Sequence, residues 1–251
     1  MSDIVAIIQA RMGSRRLPGK VLLEIAGQPM LWHVVQQARR ATALTRVVVA
    51  TSTAAADDAI EAFCHAAAIH CVRGSEQDVL DRYRQAADAL GAAIIVRLTA
   101  DCPLLDPAVI DKVVHHFLAG AFAYVSNVDP PTFPDGLDTE VFTYAALHTA
   151  WQEATRPSER EHVTPYIRQH PERFRLGNVQ HSPDLSGWRW TVDEAVDLDF
   201  VRAVYARLGV EAFGMHDVCQ LLTQQPGLRQ MNAHLQRNAG YHHSLRQEHC
   251  Q

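Results

Sequence analysis

Short runs of aliphatic and β-branched residues alternate with amphipathic stretches through the first half of the chain. Each run is almost continuously apolar, which is typical of parallel strands covered by helices on both faces. Strands are predicted for IVAIIQA (4–10), RVVVAT (46–51), IHCVRG (69–74), AIIVRL (93–98) and FAYVSN (122–127). Between them, apolar residues recur at helical spacing, as in the helix that begins near Pro29. The alternation predicts a doubly wound α/β core with a mostly parallel sheet.

The pattern changes after about residue 127, where NVDPPTFPDGLDTEVF is rich in proline and glycine. Helices at 144–155 and 158–169 are predicted to follow, then strands near 173–179 and 187–192, and a helix that Gly209 caps. We expect one domain over 1–251. Within it, 128–170 is an insertion for acceptor binding or dimerisation, and 215–251 is a helical tail.

Composition and charge narrow the class of protein. Hydrophobic residues make up 47% of the chain and charged residues 20%, as in a folded globular protein. The net charge of −5 argues against a general nucleic-acid-binding surface. The five cysteines form no CxxC pair and the fourteen histidines are scattered, so neither a disulfide framework nor a zinc site is expected. No run is long enough to span a membrane, and we expect a cytoplasmic protein.

The stretch directly behind the first predicted strand, QARMGSRRLPGK (9–20), concentrates glycine and positive charge. Ligands of open α/β sheets bind at the carboxyl ends of the strands. Gly13 and Gly19 let the backbone approach a ligand there, and this combination suits a triphosphate. The positive side chains of the stretch are Arg11, Arg15, Arg16 and Lys20. It is not a P-loop, because the glycine spacing differs and Val21 follows the lysine. The alternative is an ordinary solvated basic loop.

Two aspartates are candidates for metal binding. Asp101 follows the fourth predicted strand, and Asp193 ends the predicted strand at 187–192. Magnesium prefers one or two carboxylates together with phosphate oxygens and water, so this pair has the composition of a magnesium site. Asp193 also suits a helix N-cap, and Asp106, just before Pro107, is interpreted as a cap. In GSEQDVLDRY (74–83), Ser75 or Glu76 is predicted to cap the next helix.

Seven segments of the chain, in order, resemble blocks of one family. They are QARMGSRRLPGKVL, GSEQDVLDRY, RLTADCPLLDP, DGLDTEVF, EREHVTPY, RWTVDEAVDLDF and NAGYHHSL. The family is the cytidylyltransferases of the spore coat polysaccharide biosynthesis protein F group, which are related to the enzymes that activate 3-deoxy-manno-octulosonate and N-acylneuraminate. The resemblance covers nearly the whole chain. The helix start after Asp193 departs from the wider family, since Glu194-Ala195-Val196 stands there.

The resemblance implies a Rossmann-like nucleotide-diphospho-sugar transferase fold, and transfer of CMP from CTP to a small acidic acceptor with release of pyrophosphate. It implies Mg²⁺ at Asp101 and Asp193, catalytic roles for Lys20, Arg15 and Arg11, and a homodimer. The implied nucleotide-binding residues are Ala10, Arg11, Gly13, Ser14, Arg15, Lys20, Arg73, Ser75, Arg82 and Ala100. The candidates for acceptor binding, for which solvated surface is the alternative, are Asp135, Asp138, Glu140 and His162.

Two other functions fit the same fold. A glycosyltransferase would also use a metal-binding aspartate, but with a finished nucleotide sugar. The long basic loop argues against it, because that loop indicates a triphosphate whose pyrophosphate leaves. A non-catalytic nucleotide-binding protein is the other alternative, favoured if the two aspartates are dispensable for turnover.

Overall fold

A seven-stranded sheet forms the centre of the computed structural model, which describes residues 3–237 and 239–249. The strands of the described part are β1 (Ile4–Gln9), β2 (Glu24–Ile25), β3 (Gln28–Pro29), β4 (Arg46–Ser52), β5 (Cys71–Gly74), β6 (Ile94–Thr99), β7 (Tyr124–Ser126), β8 (Glu140–Thr143) and β9 (Leu176–Asn178). β2 and β3 form a separate ribbon, and the order across the main sheet is β5-β4-β1-β6-β8-β7-β9. β1, β4, β5 and β6 pair in parallel, while β8 is antiparallel to both of its neighbours, so the mostly parallel α/β sheet is confirmed.

The order of the strands shows where the crevice lies that binds ligands in doubly wound sheets. From β1 the chain runs outward through β4 to β5 and then returns to β6 on the other side of β1. The direction of winding therefore reverses between β1 and β6, and doubly wound sheets bind ligands beyond the carboxyl ends of the strands at such a point. The basic loop that follows β1 and the Asp101 segment that follows β6 both begin here.

Helices cover both faces of the sheet. In the described residues they are α1 (Met30–Arg39), α2 (Asp58–Ala66), α3 (Val79–Leu90), α4 (Pro107–Leu118), α5 (Tyr144–Glu153), α6 (Pro157–His162), α7 (Pro165–Gln169), α8 (Ala195–Leu208), α9 (Met215–Gln224), α10 (Pro226–Gln230) and α11 (Ala239–His249). Successive residues of β1 point to opposite faces. Ile8 joins a core with α1, α4 and α8, and Ile7 joins a second core with α3 and α5.

Three of the predicted helix ends can be compared with the structure. Asp106 accepts hydrogen bonds from the N–H groups of Ala108 and Val109, and Gly209 ends α8 at φ 79°, so both predicted caps are confirmed. The prediction that Ser75 or Glu76 caps α3 is wrong. Asp78 is the cap, because its carboxylate accepts from the N–H of Asp81, while the Ser75 hydroxyl accepts from the N–H of Asp78 one turn earlier.

The second half of the chain departs from the prediction in two places. The segment 187–192 is extended but is not a strand of the sheet; it meets Asp135 at one isolated bridge, where Trp190 N–H donates to the Asp135 carbonyl at 2.6 Å. The predicted helix at 158–169 is broken into α6 and α7. Val163 adopts φ 72°, ψ −53° between them, and Pro165 restarts the helix with no N–H to bond backward.

Gly136 allows the segment at Asp135 to lie directly against the extended segment. Its φ is +113°, and a Cβ on it would come within 2.7 Å of both the Thr191 nitrogen and the Trp190 carbonyl carbon. Any residue with a side chain would clash with the backbone atoms of both Thr191 and Trp190. The close approach therefore requires glycine.

No helix in the described ranges is long and apolar enough to cross a membrane. The described cysteines, at 64, 71, 102 and 219, have free thiols. Cys250 and the last residue of the predicted tail lie outside the described residues.

We expect Gly136→Ala to lower the free energy of unfolding by about 2 kcal/mol or more, because it combines a left-handed backbone with contact against two backbone atoms. Urea denaturation measures the loss. Gly187→Ala is the matched control, since no atom lies within 4 Å of its added Cβ and its φ is not in the left-handed range. Equal stability of the two variants would contradict this account of the close approach.

Candidate functional site

The basic loop after β1 closes on itself before it reaches Lys20. The Met12 carbonyl accepts from the N–H groups of Ser14 and Gly19, at 2.9 and 3.0 Å, and Gly19 takes the left-handed conformation at φ 67°. This closure turns the chain inward, and a single turn of 3-10 helix begins at Lys20. Gly13 and the arginine side chains at 11, 15 and 16 stay exposed at the surface.

The ammonium of Lys20 lies between the two predicted metal ligands. Lys20 Nζ donates to Asp101 Oδ2 at 2.7 Å, to Asp193 Oδ1 at 2.9 Å and to the Val192 carbonyl at 2.8 Å. Burial lowers the pKa of Lys20, but the two carboxylates outweigh it and the pKa is raised overall. Burial likewise raises the pKa of Asp101, while Lys20 lowers it further, to about 2. Lys20 and Asp101 are therefore both charged at neutral pH.

The guanidinium of Arg189 holds the Asp193 carboxylate in this position by a hydrogen bond. Its guanidinium is 5% exposed and donates to Asp193 Oδ2 at 3.1 Å, to Asp135 Oδ2 at 3.1 Å, and to both oxygens of Asp197 at 2.9 and 3.0 Å. The fully buried Asp197 also accepts from the N–H groups of Asp193 and Glu194, at 3.0 Å each. The start of α8 is thus fixed to the extended segment by charge-assisted hydrogen bonds.

Negative charge exceeds positive charge around this centre. Five carboxylates, of Asp101, Asp135, Asp138, Asp193 and Asp197, face four cations, of the exposed Arg16 and the buried or half-buried Lys20, Arg189 and Arg237. Burial, and next the neighbouring Asp138, raise the pKa of Asp135 to about 7 despite its arginine partners. Burial also raises the pKa of Asp138, which pairs with Arg237. The excess makes this a place where a further cation is favoured.

The residues present suit a magnesium ion. The described part of the chain has no cluster of three or more His, Cys, Asp or Glu side chains arranged for a metal. Asp101 and Asp193, however, converge on one cationic atom from two different segments, and two carboxylates are what magnesium requires when phosphate and water complete its shell. Asp101 and Asp193 are therefore the residues that would hold the metal.

The other predicted nucleotide-binding residues lie in two places. Ala10 and Ala100 are buried where β1 and β6 end, and the Ala100 N–H donates to the Gln9 carbonyl at 3.1 Å. Arg73 and Arg82 are engaged within the protein. Arg73 bonds to the Ser52 and Ala54 carbonyls and to Glu61, and Arg82, 2% exposed, bonds to the Ser75 and Glu76 carbonyls. Their part in binding the base stays a prediction.

The four predicted acceptor-binding residues also have partners inside the protein. Asp135 pairs with Arg189, and Asp138 with Arg237. Glu140 lies in β8, 4% exposed, and accepts from Arg97, Tyr124 and Thr164. His162, at the end of α6, contacts the Ser244 hydroxyl at 3.2 Å and packs edge-on against Tyr241 of α11. Their part in acceptor binding stays a prediction.

Sequence reasoning missed the arginines that hold these carboxylates. Arg189 stands between two tryptophans in GWRWT, and Arg97 interrupts the apolar run AIIVRL. A charged side chain in an otherwise apolar buried stretch needs a partner, and that was the available signal. The sequence does not show which carboxylate each arginine pairs with.

Comparison with known proteins gives one consistent result. The cytidylyltransferase family model matches residues 5–226. The spore coat polysaccharide biosynthesis protein SpsF of Bacillus subtilis is 35% identical over 83% of this chain and 89% of its own length. A 3-deoxy-manno-octulosonate cytidylyltransferase of Trichlorobacter lovleyi is 41% identical over 46% of this chain and 45% of its own. A cytidylyltransferase structure from Leptospira borgpetersenii superposes with a TM-score of 0.87 at 32% identity, covering 92% of this chain and 98% of that one.

The raised pKa of Asp135 predicts a pH-dependent stability. Between about pH 4 and 7 the unfolded carboxyl ionises while the buried one keeps its proton, so this residue's contribution to stability is lost as pH rises through that range. Asparagine does not titrate. The free energy of unfolding of Asp135→Asn, relative to the parent protein, should therefore rise by about 3 kcal/mol between pH 4.5 and 8.

Urea denaturation across this pH range measures the difference. Asp199→Asn, at an exposed carboxylate of α8, is the control and should show little change with pH relative to the parent. A difference for Asp135→Asn that stays constant with pH would show that its carboxyl does not titrate in this range.

Proposed function

Because the chain belongs to the cytidylyltransferase family, we propose that it transfers CMP from CTP to a small acidic acceptor, with Mg²⁺ and with release of pyrophosphate. The chain is a nucleotidyltransferase by family. The proposal adds three features to this activity: CTP as the donor, an acidic acceptor and Mg²⁺. The proposal is carried by one observation, the convergence of Asp101 and Asp193 on Lys20 Nζ at the point where the sheet reverses its winding.

The basic loop is proposed to hold the triphosphate. Arg11 and Arg15 are exposed, and Gly13 presents backbone with no atom within 4 Å of the space where a side chain would stand. These groups can turn toward phosphate oxygens at little cost, because they are solvated and weakly bound. Arg16 has carboxylate partners, Asp193 at 3.0 Å and Glu194 at 3.7 Å, so it bridges the loop to the start of α8.

Asp101 and Asp193 are proposed to hold Mg²⁺, which when bound neutralises phosphate oxygens and the charge that develops on the leaving pyrophosphate. Lys20 adds a second positive group at the same place. Its ammonium is fixed by three hydrogen bonds before substrate arrives, so no reorganisation is needed to bring the charge to the site.

The reaction requires no protein nucleophile. An oxygen of the acceptor attacks the α-phosphorus of CTP, and the bond from that phosphorus to pyrophosphate breaks in line with it. The chain contributes mainly position and charge, as is usual when phosphoryl groups are transferred directly. Burial lowers the pKa of His162 to about 4, so its imidazole is neutral at pH 7 and adds no positive charge.

The remaining expectations stay proposals. A homodimer is expected from the resemblance, with the segment 128–170 as its contact or as part of the acceptor site. In the structure this segment supplies β8, α5, α6 and α7. A cytoplasmic location is likewise an expectation.

The direct test is binding and turnover of nucleotides. We expect calorimetry to detect CTP binding in the presence of Mg²⁺, more tightly than ATP, GTP or UTP. A panel of sugar acids, phosphonates and phosphorylated sugars should contain an acceptor that triggers pyrophosphate release from CTP. Failure to bind CTP would refute the cytidylyl assignment, and release of a nucleoside diphosphate from a nucleotide sugar would favour a glycosyltransferase.

Lys20 can be tested against a matched control, because the chain has a second lysine, Lys112, and no others. We expect Lys20→Ala to lower kcat by about 10²-fold or more, since it removes a fixed cation from the developing charge. Lys112→Ala should leave kcat unchanged, because Lys112 is exposed on α4, where its ammonium bonds to the Gln180 carbonyl and lies over the Phe133 ring. Pyrophosphate release with the identified acceptor is the measurement. Equal rates in the two variants would remove Lys20 from the mechanism.

A further inference from the structure

A second group of charges lies on the other side of the crevice, where β6 and β8 meet α7. We call it the arginine pocket and define it by Arg97, Glu140, Thr164 and Arg168. Glu140 is its centre: one carboxylate oxygen pairs with Arg97, and the other accepts from Tyr124 and Thr164 hydroxyls at 2.6 Å each. The carboxylate is thus fully bonded and fixed in place.

Both arginines of the pocket have donors without partners. The Nε of Arg97 and the Nε of Arg168 are buried, and neither finds a hydrogen-bond partner among the described residues. The carboxylate paired with Arg168 is Asp129, at 4.0 Å, which is beyond hydrogen-bond distance, and Asp129 is itself 70% exposed. Buried donors of this kind are uncommon because each unmade hydrogen bond destabilises the folded protein.

The two guanidinium groups of the pocket have little direct hydrogen bonding to carboxylates. Both Arg97 and Arg168 act on the single carboxylate of Glu140 and hold its pKa below the usual value, although burial opposes them. The neighbouring His162 is neutral, since burial lowers its pKa and the cations of Arg97, Arg11 and Arg168 lower it further. Among the described residues, Glu140 is the one carboxylate that accepts a hydrogen bond from either guanidinium; Asp129 lies 4.0 Å from Arg168, and Asp138 acts on Arg97 through its charge.

The pocket is close to the proposed site of transfer. Arg97 precedes Asp101 by four residues along β6 and the turn after it, which is about 13 Å of extended chain. Asp138 lies between the two places: its charge acts on Arg97 and Glu140 on one side and on Asp135 on the other. Arg11 of the basic loop also reaches Glu161 of α6 at 3.5 Å. The two places are therefore neighbours in the fold.

A strained turn sets the position of Arg168. Val163 is fully buried with φ 72° and ψ −53°, and the Thr164 N–H donates to the His162 carbonyl at 2.9 Å, which is the rare classic γ-turn. Such a conformation costs about 1 to 3 kcal/mol in a β-branched residue and persists where the surroundings require it. It directs the Thr164 hydroxyl to Glu140, and the Arg168 N–H then bonds to the Thr164 carbonyl at 3.1 Å.

We propose that Arg97 and Arg168 bind an oxyanion of the acceptor, a carboxylate or a phosphorus oxyanion, while another oxygen of the same molecule faces the α-phosphate of CTP. The assignment of this anion to the acceptor rests on the proposed function. Arginine is suited to the task because its planar fork matches both kinds of oxyanion, and Glu140 fixes the plane of Arg97. Glu140, one of the residues predicted to bind the acceptor, would then act through Arg97, with which it pairs.

Arg168 is the residue to test, because it has few bonds to lose and its replacement leaves Glu140 with three other donors. The probes are 3-deoxy-manno-octulosonate for the carboxylate and methylphosphonate for the phosphorus oxyanion. Each is titrated by calorimetry into the protein alone and into the protein saturated with Mg²⁺ and cytidine 5′-(α,β-methylene)triphosphate, which cannot transfer CMP.

We expect at least one probe to bind, and its identity to distinguish the two chemistries. Arg168→Gln should weaken that binding at least tenfold, and Arg168→Lys should weaken it less, since it keeps the charge and loses the fork. Arg202→Gln is the control, because Arg202 is exposed and bonds to the Glu24 carbonyl. Binding of the nucleotide analogue should be unchanged in all three variants.

Different results would refute the oxyanion site in the arginine pocket and the proposed transfer of CMP from CTP. If neither probe binds the parent protein, or if Arg168→Gln binds the probe as tightly as the parent does, the pocket is not an oxyanion site, whatever the nucleotide does. If the nucleotide analogue does not bind while a probe does, the pocket stands and the cytidylyl assignment fails.

Discussion

The ion pairs of Lys20 with Asp101 and Asp193 are the interaction on which the site depends. They join three segments that are distant in sequence, at separations of 81 and 173 residues. Each segment has little regular structure where it reaches the lysine: a loop closed on the Met12 carbonyl, the turn after β6 and the extended segment before α8. The buried ammonium gives them a common point, and the carboxyl ends of β1 and β6 determine where that point lies.

This centre is poorly arranged for stability and well arranged for binding cations. Removing charges from water costs more than their attraction commonly returns, and here the buried carboxylates outnumber the cations. The pKa values of two carboxyls reflect this directly: burial and the neighbouring Asp138 raise the pKa of Asp135, whereas Lys20 lowers the pKa of Asp101 although burial opposes it. A protein selected for stability alone would have apolar residues here, so the excess negative charge is best understood as a requirement of the ligand.

The sequence predicted the parts of the structure that local patterns determine. Continuous apolar runs located the parallel strands, and Asp106 before Pro107 located a helix start, because both depend on neighbouring residues. It did not predict that β8 enters the sheet between β6 and β7, since a four-residue strand has no periodicity of its own. Nor did it predict the turn at Val163, because a β-branched residue disfavours that conformation and tertiary packing imposes it. The two aspartates that converge on Lys20 were predicted to lie together. Arg97 and Arg189, which orient carboxylates, were missed because their partners are distant in sequence or lie in segments with no regular structure.

The two ends of the crevice have opposite charge, and this bears on how an acidic acceptor is oriented. Carboxylates exceed cations around Lys20, while two guanidinium groups share Glu140 in the arginine pocket. A molecule with one oxyanion is therefore repelled from the first place unless a metal ion is bound, and attracted to the second. In the proposed reaction, the anion of the acceptor would then lie away from the triphosphate, whose own charge would otherwise oppose its approach. Asp138 lies between the two places, where its charge interacts with Arg97 and Glu140 of the arginine pocket and with Asp135 near Lys20.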